Sequence, residues 1–241
     1  MSSHLHPAEG NARPTESADT NTAAIAASPI LIVGEKSHID DDEELIEEPE
    51  DPEPPRMARI GNERVELYGS PPSPGDRVTA HFEVAPARNS STPLTPAHLR
   101  SGLVLMTTLP NIHKHACTAQ IIGLEALARD ELPHARLLHV SSDAVEHWAE
   151  VDELHGSVTA EGYSLDGAVG GDSFRDQFGV GVRGSRRIAR GLFALLDGVV
   201  LAADVPENQG RTPSIRRFIE RTCALTRLLG PWPTTRKEEP R

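Results

Sequence analysis

Cysteine is scarce: Cys117 and Cys223 are the two in 241 residues. Two cysteines make no disulfide framework and suit a reducing compartment, so a cytoplasmic protein is expected. No apolar run approaches the length that crosses a bilayer. The N-terminus has no basic stretch followed by an apolar one, so no secretory leader is expected. Positive charge is short as well, the formal net charge being −12. Residues 1–57 hold fourteen Asp and Glu against three Lys and Arg, and the rest holds 22 against 21, so the acidic excess is nearly all N-terminal. With no net basic field to attract phosphate, a general role in nucleic-acid binding is not expected.

What the first 57 residues do contain is Ser, Ala, Glu, Asp and Pro with few aromatics, the composition of a disordered arm. Asp40 to Glu44 are five consecutive acids, and 47–55 (EEPEDPEPP) reads as a stiff extended acidic linker. Ile30-Leu31-Ile32-Val33 interrupts this composition. It reads as a sticky patch or extra edge strand, or as a docking motif that adds a strand to a partner's sheet. The expected organisation is a disordered acidic Pro-rich arm at 1–57, a folded domain at 58–230 and a polar tail at 231–241.

Within the domain, 65–68 reads as a short strand, GSPPSPGD (69–76) as a turn and 78–84 as a second strand. A polar connection over 85–100 leads to Leu103–Leu109, an apolar and β-branched run ended by Pro110, which reads as a buried strand. After a polar loop, the apolar period changes at Cys117: Ile121, Leu124, Ala128 and Ile122, Leu127 fall on one helical stripe. A strand over 136–140 follows, and Ser141-Ser142-Asp143 reads as a run of N-caps for a helix over 144–154. Further on, 157–164 reads as a strand and 172–178 as a short helix stopped by Gly179. A strand over 187–196, an Asp197-Gly198 hairpin turn and a returning strand over 199–205 come next. The last helix opens at Thr212-Pro213 and runs to about Leu229. This order is an α/β pattern with a mixed sheet flanked by helices.

Cys117 stands where a strand has ended and a helix begins. Free amide groups and the positive end of the helix dipole favour a thiolate there, so a nucleophile with a lowered pKa is expected. The competing reading is a small buried hydrophobe in the first helical turn. A reactive cysteine at the first strand-to-helix turn suggests the thioredoxin-like class, although no C-x-x-C is present: Cys117 is followed by Thr118, Ala119 and Gln120.

From 65 to 219 the chain resembles the thiol peroxidase branch of the peroxiredoxins, the atypical two-Cys type. The resemblance is carried by several features in order: Pro74-Gly75-Asp76, Pro110 seven residues before Cys117, Ser141-Ser142-Asp143, Phe178-Gly179-Val180, Ala189-Arg190 and Leu196-Asp197-Gly198. It implies a peroxidase in which Pro110 shields the cysteine, Cys117 attacks as thiolate and Arg190 lowers its pKa and stabilises developing charge. A Thr or Ser normally stands three residues before the cysteine; here that place is Lys114, which donates hydrogen bonds but accepts none. The place of the family's resolving cysteine is Asp152. The resemblance therefore implies a one-Cys thiol peroxidase acting on hydrogen peroxide or alkyl hydroperoxides. It also implies thioredoxin or another thiol as reductant, a homodimer and no cofactor. The two departures support an alternative: a degenerate peroxiredoxin fold used as a binding or regulatory module or redox sensor, with a partner for the acidic arm.

Cys223 is a substitute resolver or, as its place among Ile219, Leu225 and Leu229 favours, a buried helix position. His113, His115 and Cys117 form H-x-H-x-C, but residues so close on a tight loop rarely face one ion, and no metal is expected. His113 or His115 is also a candidate to replace the lost hydroxyl in proton transfer. His147, Trp148, Glu150 and Asp152 read as an ordinary amphipathic or interface helix. Of the basic cluster, Arg190 is kept for the thiolate by strand alternation, and Arg183, Arg186 and Arg187 are read as solvated or interfacial.

Overall fold

The computed structural model describes residues 54–155 and 159–230, with the backbone alone for 152–155. The acidic linker up to residue 53, Ile30-Leu31-Ile32-Val33 and the tail at 231–241 lie outside the described residues, and the described residues belong to one compact unit within Asp51–Arg241. Its centre is strand β4 (Leu103–Leu109), buried at six of its seven positions. A strand covered on both faces reads as a continuous apolar run, as this one does. β4 pairs in parallel with β5 (Arg136–Ser141), which pairs in parallel with β6 (Glu161–Val169). Helix α1 (His115–Glu131) makes the first crossover and α2 (His147–His155) the second. On the other side β4 pairs antiparallel with β8 (Gly191–Leu196), which turns into β9 (Val199–Asp204). Asp197 and Gly198 make this turn with φ of 48° and 78°, the left-handed pair that a two-residue hairpin needs.

The far edge of this six-stranded sheet is β3 (Glu83–Arg88), antiparallel to β6 with two register shifts. Of the strand expected over 78–84, Glu83 and Val84 belong to β3 and 78–82 form no strand. Val78 N–H bonds Gly198 O, and the N–H groups of Thr79 and Ala80 both bond Gln177 Oε1, so this stretch is satisfied without a ladder. Pro86 hid β3 from a sequence reading, because proline fits a sheet only at an edge or bulge. A three-stranded sheet of β1 (Arg56–Ile60), β2 (Glu63–Tyr68) and β7 (Gly181–Val182) was equally unexpected at β1 and β7. β6 starts later than expected, α2 starts at His147, and β8 begins one residue after Arg190.

One face of the large sheet presents Val104, Met106, Leu138, Val140 and Phe193 to Phe174 and Phe178, the former on helix α3 (Gly171–Gln177). The other face presents Leu105, Leu192 and Ala194 to Leu124 and Ala128 of α1 and to Phe218 and Ile219 of α4 (Ile215–Leu228). The α1 stripe is narrower than its sequence pattern, since Ile122 is 45% exposed. Glycine sets the approach of the two helices: a Cβ at Gly123 would lie 2.9 Å from Ile215 Cδ1. Beside α1 the interior holds charge. Glu125, Arg88 and His139 are buried, with Arg88 3.7 Å and His139 Nε2 3.4 Å from Glu125 Oε1. Burial works against the Glu125 charge, but His139 and the Thr159 and Ala160 N–H groups outweigh it and hold the carboxyl at about 2. Burial pushes His139 down, toward its neutral form. No helix among the described residues is long and apolar enough to cross a membrane.

Candidate active site

The carboxyl end of a parallel strand at the middle of an α/β sheet is where such folds place ligands, and β4 ends there at Leu109. Pro110 follows, its carbonyl accepting a bond of 3.3 Å from Ser142 Oγ. The loop then closes on itself: His113 N–H bonds Asn111 Oδ1 at 3.0 Å and Lys114 N–H bonds Asn111 O at 3.1 Å. Asp143 pins the loop from β5, its Oδ2 accepting Ile112 N–H at 2.7 Å. Ser141 and Asp143 are thus anchors of this loop rather than caps of α2, because Asp143 is bonded to Ser141 and Ile112 before that helix begins. Lys114 is the N-cap of α1, and its carbonyl receives Cys117 N–H at 2.8 Å and Thr118 N–H at 3.1 Å.

Cys117 lies in the first turn of α1 and is completely buried. Arg190, itself 2% exposed, reaches it from the segment before β8: Nη2 donates to Cys117 Sγ at 3.1 Å. Nη1 of the same guanidinium bonds Gln120 Oε1 at 2.6 Å and Ala116 O at 3.0 Å, and Nε bonds Gln209 O at 3.2 Å. Gln120 also donates to Gly191 O at 3.1 Å, and the Gln209 side chain both accepts Arg190 N–H and donates to Pro206 O. Arg190 is therefore clamped from α1 on one side and from the loop after β9 on the other. Thr212 Oγ1 adds a bond of 3.3 Å to Ala116 O from that loop.

The structure brings Cys117 and Arg190 together, sets Pro110 at the head of the loop and leaves Lys114 exposed at its rim. Arg186 and Arg187 are exposed, and Arg183 pairs with Glu66 at 2.6 Å. Asp152 falls within α2. Both cysteines are free thiols in different apolar clusters, Cys223 with Leu124 and Ala128, Cys117 with Leu109 and Trp148. His113 and His115 are exposed while Cys117 is buried, and no group of three or more His, Cys, Asp or Glu among the described residues is disposed to hold a metal ion. His113 instead lies 3.6 Å from Glu150 and packs against the His147 ring at 4.9 Å.

The expectation of a lowered thiol pKa is corrected. Burial pushes the Cys117 thiol up; the Arg190 charge, the Asn111 backbone N–H and the Arg190 hydrogen bond pull it down, Asp143 pushes it up, and the net direction is up. The arginine acts as the sequence suggested and a loop N–H adds to it, but desolvation of a fully buried sulfur exceeds them. Sequence reasoning missed the two glutamines. Gln120 was findable, three residues after Cys117 and hence on the same side of the helix. Gln209 arrives by tertiary folding alone.

No protein-family model matches the sequence, and no curated protein matches it. Solved structures do. A thiol peroxidase from Chromobacterium violaceum superposes with a TM-score of 0.60 over 71% of this chain and 98% of its own, at 15% identity. A peroxiredoxin-like protein from Aquifex aeolicus gives 0.57 over 70% and 97%, at 16% identity. Peroxidoxin BcpB from Mycobacterium tuberculosis gives 0.51 over 65% and 97%, at 24% identity. The chain is an α/β protein with the thioredoxin-like fold of the peroxiredoxins.

Proposed function

We propose that the protein is a thiol peroxidase that reduces hydrogen peroxide or alkyl hydroperoxides through Cys117 alone. The observation that carries this reading is the 3.1 Å contact between a buried guanidinium and the sulfur at a helix start. In the reaction the Cys117 thiolate attacks the terminal peroxide oxygen. A sulfur–oxygen bond forms, the oxygen–oxygen bond breaks, and the departing oxygen takes up a proton and leaves as water or alcohol. Cys117 is left as sulfenic acid. Arg190 favours the thiolate and meets the developing negative charge, Pro110 and the loop backbone position the peroxide, and Lys114 adds positive charge at the rim. Because Cys117 is fully buried, the oxidant reaches it when the loop ahead of α1 shifts.

With Asp152 in the resolving position, the sulfenic acid is reduced by an outside thiol, thioredoxin or another. A homodimer in the cytoplasm and a protein partner for the acidic arm belong to the same reading. The full burial of Cys117 and the net upward push on its thiol favour a second reading: a redox sensor or binding module whose cysteine oxidises without turnover.

The test is the intact mass after a stoichiometric pulse of hydroperoxide, with a thiol-trapping reagent, beside Cys117→Ser. Rapid addition of one oxygen that disappears in Cys117→Ser, followed by turnover with an added thiol, is the result expected. Oxidation at the speed of an ordinary free thiol removes the enzyme reading, and fast oxidation without turnover selects the sensor.

A further inference from the structure

Cys117 shares its apolar cluster with Leu109, Ile112, Ile121, Trp148 and Val151, and with Ala87 at the edge. Only two side-chain polar atoms occur in that set, the Cys117 sulfur and the indole nitrogen of Trp148. Trp148 is fully buried, and its Nε1 has no hydrogen-bond partner among the described residues. An indole N–H is a donor only, and a buried one without an acceptor is a rarity that calls for an explanation. The ring is held in a built seat. A Cβ at Gly162 would lie 2.9 Å from both Cε3 and Cζ3, so that edge of the indole is pressed on β6 and a side chain larger than hydrogen would collide with it. Nε1 lies on the side of the indole opposite those two atoms. The Arg88 guanidinium stands 5.2 Å over the ring, and a cation on an indole face draws electron density from the ring and strengthens its N–H as a donor.

We propose that Trp148 Nε1–H is the hydrogen-bond donor to the oxygen that Cys117 receives. The inference rests on the peroxidase reading and deepens it. In the resting protein no acceptor among the described residues, the Cys117 sulfur included, is placed to bond this donor. When the sulfur takes the terminal oxygen of a hydroperoxide, a stronger acceptor that extends beyond the sulfur appears in the dry cluster that holds the unpartnered donor. The step balances as in the reaction above: the sulfur loses two electrons, the peroxide bond takes them, and the leaving oxygen is protonated. Trp148 transfers no proton. It supplies from α2 a donor where Lys114 stands in place of the usual hydroxyl, and Lys114 is exposed at the rim.

The test compares two reactions of Cys117 in the full chain and in Trp148→Phe, which keeps an aromatic ring and removes the donor. Alkylation by iodoacetamide needs access and thiolate but delivers no oxygen to the sulfur. Oxidation by hydrogen peroxide needs all three. The expected result is an oxidation rate lowered by about tenfold or more with alkylation unchanged. Equal loss of both rates makes Trp148 a packing residue and overturns the proposal, as does loss of neither; both outcomes leave the peroxidase reading standing. If the unaltered protein is not rapidly oxidised at Cys117, the peroxidase reading falls and this inference with it. A second measurement needs no Trp148 variant: the sequence has two tryptophans, and one indole N–H resonance should move downfield on stoichiometric oxidation but not in Cys117→Ser. Complete oxidation with neither resonance moved refutes the hydrogen bond.

Discussion

Replacing Arg190 by methionine removes the largest pull that opposes burial at Cys117, so the thiol midpoint must rise. Two unit charges at the observed 3.1 Å attract by about 5 kcal/mol at an effective dielectric constant of about 20. Most of that is offset by the cost of taking both charges out of water. The net value of a hydrogen bond to a charged group is about 1.5–3 kcal/mol, which raises the midpoint by about one to two pH units. Arg190→Lys keeps the charge, but one ammonium cannot serve Ala116 O, Gln120 Oε1, Gln209 O and the sulfur together, so its midpoint falls between the two. The assay is the pH dependence of iodoacetamide labelling at Cys117, with Cys223 in its separate cluster as internal reference. Each buried acceptor left without a donor costs about 1–3 kcal/mol, so urea unfolding must show the variant folded at each pH. A Cys117 midpoint unmoved in Arg190→Met would mean that the 3.1 Å contact does nothing for the thiolate, and the proposed activation would be refuted.

Asp143→Asn keeps an acceptor for Ile112 N–H and removes a charge that pushes the thiol up; the labelling midpoint of Cys117 should fall, and a rise contradicts the electrostatic account. In Gly162→Ala the new methyl meets the Trp148 ring at 2.9 Å and Arg88 Cβ at 3.1 Å, so overpacking should cost about 1–3 kcal/mol, read as a lower urea midpoint. For Glu125 the folded pKa is depressed from 4.5 to about 2, so its stabilisation is present above 4.5 and is lost as pH falls through that window. The loss is about 3 kcal/mol, and the acid limb of stability against pH should flatten in Glu125→Gln; identical limbs would rule out the buried Glu125 carboxylate as its source.

The sequence made the central βαβ legible because each of its signals has a single cause. A run buried on both faces, a proline stop and a change from continuous to helical periodicity leave few alternatives for Leu103–Leu109 and α1. Asp197-Gly198 was legible for the same reason, since a two-residue hairpin admits few residue pairs. The edge strands were not. β3 contains Pro86, β7 has two residues, and β1 begins at Arg56 beside an acidic proline-rich stretch that dominates its composition. Such strands are held by partners distant in sequence, Gly181 to Tyr68 for instance, and local pattern carries little of that information.

At the site, the residues that do chemistry were more legible than those that set its strength. Cys117 and Arg190 could be paired from the order of strand, helix and hairpin. Whether the pair yields a thiolate depends on burial, and burial comes from Trp148 on α2 and Ile121 on the second turn of α1, neither of which carries a local sign of the role. The helix carrying Trp148 looked like an ordinary amphipathic or interface helix, with His147 and Glu150 beside it. Gln209 is nineteen residues from Arg190 in a loop whose course is set by β9 and the start of α4. A position at a helix start and a nearby arginine both argue for a reactive cysteine. The third quantity, desolvation, has the opposite sign and the larger size, and it is a property of the packed fold. The same packing that raises the thiol also leaves a buried indole donor in the same cluster. The environment that disfavours the resting thiolate is therefore suited to the oxidised sulfur, and the balance between them is what the labelling and oxidation rates measure.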